Sequence, residues 1–421
     1  MTDLWPLISP SASNNASSRR RRAFAKQHLT GVAATIAPFA RPEERFYATR
    51  PVYAEMVKAG FVAALIPKKY GGTGMSTVDL ALATEELAAV DVKVPSALLG
   101  TGLGLEPIIN YGTEEQKRRF LPDFISSSGE RLAAFAFTEV TGGANYDCPD
   151  PAACVQTIAQ REGDEWVISG KKHYTTNACG GDGTGADLVS VVCRVGADRS
   201  PQESLAIIVV PGRAKGVEVA GFLDTAGHRA TSSPIMHFNE VRVPVDNLIG
   251  QPGDGIGMCS RTFSWTAALI GAACTGVMRA GFDAAFQFAR TDKRSGTVPV
   301  IEHQNVGFML ADIKMRIEAA RYLSWKACHY LDVTDGVGDE LAIMTKVYSS
   351  ELAVQVVYDT MRLVGVDSYT ELYPLAGLMQ DALCFPLYDG GNMGVRRRQL
   401  HKLFCSPGYD PMAAAESRMP V

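Results

Sequence analysis

No metal-ligand spacing and no disulfide framework can be read from this chain. Its nine cysteines are an odd number without a C-x-x-C pair, so free buried thiols in a reducing compartment are expected. Seven scattered histidines form no H-E-x-x-H pair, and no bound metal is expected. Phosphate-loop and nucleophile-elbow motifs, G-x-x-x-x-G-K-S/T and G-x-S-x-G, are absent as well. Two glycine-rich segments, Gly71-Gly72-Thr73-Gly74 and Gly253-Asp254-Gly255-Ile256-Gly257, lack the preceding strand and βαβ frame of a dinucleotide site. A basic surplus is missing too. The formal net charge is -4, which argues against a nucleic-acid partner. The longest apolar run, Ala267 to Met278, is too short to cross a bilayer and reads as a buried core helix. With no secretory segment at the start and no peroxisomal tripeptide at the end, a cytoplasmic protein without a membrane partner is expected.

What is present is an ordinary globular composition, 46% apolar and 20% charged, as soluble enzymes have. A chain of 421 residues exceeds one hydrophobic core and predicts two or three packed units. Residues 1–130 read as a helical domain. Apolar positions recur at helical spacing through Val52 to Phe61 and Leu80 to Val90, with Glu85 and Glu86 expected on the wet face. The run Arg19 to Arg22 reads as a solvated first helix turn. Thr113, with Gln116 three residues on, reads as a capping box. Between 131 and 245 the period changes. Trp166–Gly170, Leu188–Arg194, Leu205–Val210, Val217–Ala220 and Ile235–Val243 are short, β-branched and separated by Gly, Asp or Pro, which predicts a β domain. From 246 to 421 helices return, at Ser260–Arg290, His303–Tyr330, Asp339–Val364 and Met393–Phe404. The class is α+β, in the order helical, β, helical.

Five motifs follow one another along this pattern. They are Gly60-Phe61 with Pro67-Lys68-Lys69-Tyr70-Gly71-Gly72, Tyr111-Gly112-Thr113-Glu114-Glu115-Gln116, Phe137-Thr138-Glu139-Val140-Thr141-Gly142, Gly170-Lys171-Lys172-His173-Tyr174-Thr175-Thr176-Asn177, and Phe238-Asn239-Glu240-Val241-Arg242-Val243-Pro244. In this order they resemble the acyl-CoA dehydrogenase superfamily. The resemblance implies an N-terminal helical domain, a central β-barrel-like domain and a C-terminal four-helix bundle, with FAD as cofactor in a homotetramer or homodimer. One segment narrows it. Leu387-Tyr388-Asp389-Gly390-Gly391-Asn392 and Arg396-Arg397-Arg398 are similar to the nitroalkane oxidase branch, in which an aspartate stands where acyl-CoA dehydrogenases carry a catalytic glutamate. That branch converts nitroalkanes with O2 to aldehydes or ketones, nitrite and hydrogen peroxide.

Removing a carbon-bound proton beside a flavin calls for a base on one face of the substrate. Asp389 is the candidate, since a carboxylate of ordinary pKa, about 3.9, is ionised at neutral pH. Arg396 would favour the charged form if it lies within about 4–6 Å. On residues alone, Asp389 could equally cap the helix that follows. Thr266 matches a hydroxyl that partners the base in the nitroalkane oxidase branch; otherwise it bonds back to a helix carbonyl. The resemblance further assigns Thr138, Gly142, Thr176, Gly391 and Asn392 to the flavin. It assigns Arg294, His303 and Gln304 to the FAD pyrophosphate and adenosine, usually from a neighbouring subunit. Arginine suits phosphate through its fork of donors, although Arg294 could also be a solvated residue of a helix connection. Gly143 and Val140 depart from the family pattern, Gly143 by removing a loop hydroxyl. A desaturase of an acyl-CoA or a carrier-free intermediate, and a helical assembly protein without activity, are the rival expectations.

Overall fold

The computed structural model describes residues 12–125, 129–294 and 296–420. Helices come first: α1 (Ala12–His28), four short helices from Val32 to Leu65, α2 (Thr77–Ala88), α3 (Lys93–Tyr111) and α4 (Glu114–Phe120). The expected helix over Val52 to Phe61 is broken. Gly60 adopts φ +84° between Arg50–Lys58 and Phe61–Leu65, a left-handed stop that glycine takes without a Cβ penalty. The capping box at α4 forms as expected: the Thr113 hydroxyl accepts from Gln116 N, and Gln116 accepts from Thr113 N at 2.8 Å.

Two expectations about charge are corrected. Glu85 and Glu86 are not on a wet face; both are buried, at 4% and 5% exposure. Arg279 reaches both, Arg321 reaches Glu85 and Arg22 reaches Glu86. Burial of two adjacent acids is tolerable because every charge is paired and hydrogen-bonded. Of the run Arg19 to Arg22, Arg19, Arg20 and Arg22 are exposed as expected, but the run is not the first helix turn. It lies well inside α1, and Arg21 is buried.

The middle domain is one mixed eight-stranded sheet: β1 (Ala133–Ala136), β2 (Ile158–Glu162), β3 (Glu165–Lys172), β4 (Leu188–Val195), β5 (Leu205–Val210), β6 (Val217–Phe222), β7 (Pro234–Pro244) and β8 (Leu248–Ile249). The order is β6-β7-β3-β2-β4-β5-β8, with β1 on β4. β1 runs parallel to β4 along 188–191, while β2 takes the same strand's far end at Arg194 and Val195. The sheet thus opens between β1 and β2, and the chain linking them, residues 137–157, lies at its rim.

The C-terminal domain is built on α5 (Gly255–Thr291), α6 (Gln304–Val333) and α7 (Glu340–Val364). The fourth bundle helix is α8 (Leu375–Cys384), packed on α5 and α7. Sequence reading placed the fourth helix at Met393–Phe404. That segment is instead a π-helical turn, Gly391–Arg396, followed by the short α9 (Arg397–Phe404). Ala267 to Met278 lies within α5 and is buried throughout, as an all-round apolar helix must be. α2 docks on α5 where Gly276 brings the backbones together; a Cβ there would stand 2.6 Å from Glu85 O.

Candidate active site

The site is assembled from three segments: the loop after β1, the turn after β3, and the link between α8 and α9. Thr138 follows β1, and its carbonyl accepts from His173 N at 2.7 Å, tying it to the second segment. A buried ion pair fixes both. Lys172 Nζ, fully buried, donates to Glu139 Oε1 at 2.9 Å and to Phe137 O at 3.0 Å. Glu139 also accepts from Gln156 N at 2.6 Å and from the Thr157 hydroxyl at 2.7 Å. In the turn beyond Lys172, Tyr174 and Asn177 take φ of 55° and 70°. Asn177 Nδ2 donates to Ala97 O at 2.7 Å, anchoring Thr176 against α3.

Three glycines let α3 press on its neighbours. A Cβ at Gly100 would meet Thr176 Cγ2 at 2.8 Å, at Gly102 the Trp265 ring at 2.6 Å, and at Gly104 the backbone N of Ala134 at 2.5 Å. One helix therefore touches the β3 turn, the α5 residue preceding Thr266, and β1. Phe263 completes the link between domains. Its ring lies 4.8 Å from that of Phe137, edge to face, and its carbonyl accepts from Arg396 Nη2 at 2.9 Å.

Asp389 stands on unusual backbone. Asp389, Gly390 and Gly391 have successive φ values of 53°, 89° and 58°. Aspartate tolerates the left-handed region better than most residues, but such conformations persist only where the surroundings hold them. Those surroundings are explicit. Arg396 Nη2 donates to Asp389 Oδ2 at 2.8 Å, and its Nε donates to Asp389 O at 2.9 Å. The Thr266 hydroxyl donates to Oδ1 at 2.6 Å; Phe263 O, at 3.1 Å, is its more distant partner. The side chains of Asp389 and Arg396 are 4% and 0% exposed. Asp389 makes no cap to the helix behind it. Each carboxylate oxygen accepts one bond, leaving part of its lone-pair capacity open.

The remaining predicted residues fall into two groups. Thr138 and Thr176 are half-buried and adjoin Val140 and Tyr174, which are 69% and 58% exposed. Gly142 has φ +88° in the same loop. Gly143, the departure noted above, is dictated by packing, because a Cβ would stand 2.4 Å from the Phe137 ring. The Asn392 side chain is turned inward. It accepts from Lys346 Nζ at 3.1 Å and donates to Ser350 and Glu351 at 2.9 and 3.0 Å. Arg294, His303 and Gln304 sit on the α5–α6 connection, far from Asp389. From Thr266 to the end of α5 at Thr291, at about 1.5 Å per residue, is roughly 37 Å. Arg294 binds Asp367 at 3.0 Å and Val364 O at 2.7 Å, while His303 and Gln304 are exposed.

Sequence reasoning missed Glu139, Lys172, Phe263 and Lys346. Glu139 and Lys172 lay inside quoted motifs but read only as family letters. Phe263 and Lys346 sit within regular helical patterns and carried no separate signal.

Domain models describe the same three units: acyl-CoA dehydrogenase N-terminal domain over 14–128, middle domain over 134–241 and C-terminal domain over 253–403. With a sheet domain between helical domains and a buried carboxylate at the entrance to the last helix, the chain belongs to the acyl-CoA dehydrogenase family. Within it, the similarity is to nitroalkane oxidase. The Fusarium oxysporum enzyme is 38% identical over 414 residues, 94% of each chain. A nitroalkane oxidase active-site mutant crystallised with 1-nitrooctane superposes with a TM-score of 0.92, at 36% identity, over 97% of this chain and 99% of that one. A structure of the flavoprotein nitroalkane oxidase, from work on the roles of an arginine and an aspartate in its reaction, matches with the same TM-score, identity and coverage.

FAD is the cofactor of this family, and the surface fits it. The exposed Val140 and Tyr174 flank a polar rim of Thr138 and Thr176, and the buried Thr175 Oγ1 beside them has no partner among the described residues. A flat ring system with a polar edge suits that combination.

Proposed function

We propose that this chain is a nitroalkane oxidase in which Asp389 removes the proton from the carbon bearing the nitro group. The observation that carries the reading is the Asp389 carboxylate itself, held on left-handed backbone by Arg396 at 2.8 Å and Thr266 at 2.6 Å. The arginine holds one oxygen and the hydroxyl the other, so that the free face of the carboxylate can approach a C–H bond. A nitro group acidifies the adjacent carbon enough for an ordinary carboxylate to serve as base. When bound, FAD supplies the electron acceptor for the deprotonated carbon. Thr138, Gly142, Thr176 and the backbone at Gly391 would hold its ring end, and O2 would be the final acceptor.

Arg294, His303 and Gln304 belong in the same proposal as contacts to the FAD of a neighbouring copy. The length of α5 supports this, because it sets them farther from Asp389 than a single FAD reaches. A homotetramer or homodimer follows, in the reducing compartment that the free cysteines suit.

Anaerobic mixing of the holoenzyme with nitroethane or 1-nitrobutane tests the reading. The flavin absorbance should bleach, and aerobic samples should release nitrite. A flavin that stays oxidised with nitroalkanes but bleaches with acyl-CoAs and a dye acceptor would replace this reading with that of a desaturase.

A further inference from the structure

One lysine is buried behind the loop that carries the base, and among the described residues no carboxylate neutralises it directly. Lys346, in the second turn of α7, is 0% exposed. Its Nζ donates to Phe385 O at 2.6 Å and to Asn392 Oδ1 at 3.1 Å, and lies 5.8 Å from the centre of the Tyr388 ring. Phe385 and Asn392 bracket the left-handed stretch at Asp389, so one ammonium grips the chain on both sides of it. The loop is closed on itself as well, because Asn392 N donates to Pro386 O at 2.9 Å. Asn392 carries the grip back to α7 through Ser350 and Glu351. Tyr388 is wedged between the His228 ring at 5.4 Å and the Phe385 ring at 6.0 Å.

An uncompensated buried ammonium is expensive, so a lysine survives in such a place only where its donors or its charge are needed. Here the donors go to two acceptors that regular structure does not satisfy. The charge acts too. Burial pushes the Lys346 ammonium down to about 8, while Asp389 pulls it up; Arg396 opposes the charge, and Cys274 and Glu351 favour it.

We propose that Lys346 is a positioning residue for the base: its ammonium clamps both ends of the Asp389 loop and holds the Asp389 carboxylate toward the reacting carbon. Asn392 is the second half of the clamp. The inference rests on the assignment of Asp389 as base, and the test separates the two. Neutral nitroethane needs the base, whereas its preformed anion has already lost the proton.

Anaerobic flavin reduction is measured with both forms for wild type, Lys346→Met, Lys346→Arg and Asn392→Ala, each as holoenzyme with its FAD content determined. A displacement of about 1 Å costs about 10²-fold in such geometry. Lys346→Met should therefore slow reduction by neutral nitroethane by about that factor and leave reduction by the anion within a few-fold of wild type. Lys346→Arg should recover most of the loss. In wild type the neutral-substrate rate should fall as pH rises through about 8, and in Lys346→Arg that fall should vanish. Equal losses with both substrate forms would make Lys346 merely structural and overturn the proposal, as would no loss at all. If Lys346→Met does not hold FAD, Asn392→Ala decides by the same criterion: selective loss supports the clamp, equal loss or none removes it. Failure of wild type to react with nitroethane would instead sink the functional reading beneath it.

Discussion

The Glu85–Glu86 cluster and the Asp389 site both set buried carboxylates against arginines beside α5, yet they differ in backbone and in saturation. Glu85 and Glu86 sit in the last turn of a regular helix. Three arginines reach them through a set of bonds between 2.8 and 3.2 Å. Asp389 has one arginine and one hydroxyl, and its backbone is left-handed. Every oxygen of the cluster except Glu85 Oε2 accepts at least two of these bonds, and the cluster joins α1, α2, α5 and α6. The site keeps capacity open and holds its chain in a conformation the surroundings must maintain. Burial and ion pairing alone therefore do not mark chemistry in this molecule. On the proposed function, it is the combination of a strained backbone and an unsaturated carboxylate that does.

Substitutions of the arginines test that contrast most strongly. Arg396→Met leaves a buried acid unpaired and should cost about 3–5 kcal/mol of stability, read by urea unfolding. It should also lower flavin reduction by nitroethane by about 10²-fold or more, since the base loses its charge partner and its clamp on the Asp389 carbonyl. Arg279→Met should cost a similar few kcal/mol in the same unfolding assay. Its rate per bound flavin should stay at the wild-type value. A large rate loss in Arg279→Met would erase the distinction between the two assemblies.

Smaller effects sharpen it. Thr266→Ala removes one hydrogen bond to a charged group, about 1.5–3 kcal/mol, and should slow reduction by neutral nitroethane by about 10- to 100-fold. Glu86 supplies a pH test. Burial alone would raise its pKa, but the hydrogen bonds from Arg22 and Arg279 outweigh this and hold the carboxyl below the usual range. Its folded pKa being depressed, its stabilisation is present above the unfolded carboxylate range, near 4.3, and is lost as pH falls through the folded value. The Tm difference between wild type and Glu86→Gln should accordingly be full at neutral pH and shrink on acidification.

How far the sequence could be read depended on how far apart the partners lie. Thr113 and Gln116 are three residues apart, and their box is visible as a pattern. β5 was expected at its observed bounds because Leu205–Val210 is an unbroken apolar, β-branched run. β1, Ala-Ala-Phe-Ala, was missed, since alanine has little strand preference and its partner β4 lies some fifty residues on. Glu85 failed for the same reason. Its periodicity suggested solvent, and its arginine partners lie 194 and 236 residues away. At Asp389 the residue type and the glycines after it were legible, and so was the idea of Arg396 as partner. The grip of Lys346 was not, because a lysine in a helix ordinarily faces water, and only the fold turns this one inward.

Asparagine at 389 keeps the size of the side chain and removes its capacity to take a proton. Anaerobic mixing of the Asp389→Asn holoenzyme with neutral nitroethane, followed at the flavin absorbance, is the most direct test of the base. FAD should remain bound, bleaching should slow by about 10²- to 10⁴-fold, and the preformed nitroethane anion should still bleach it at near the wild-type rate. Bleaching by neutral nitroethane at the wild-type rate would contradict the account.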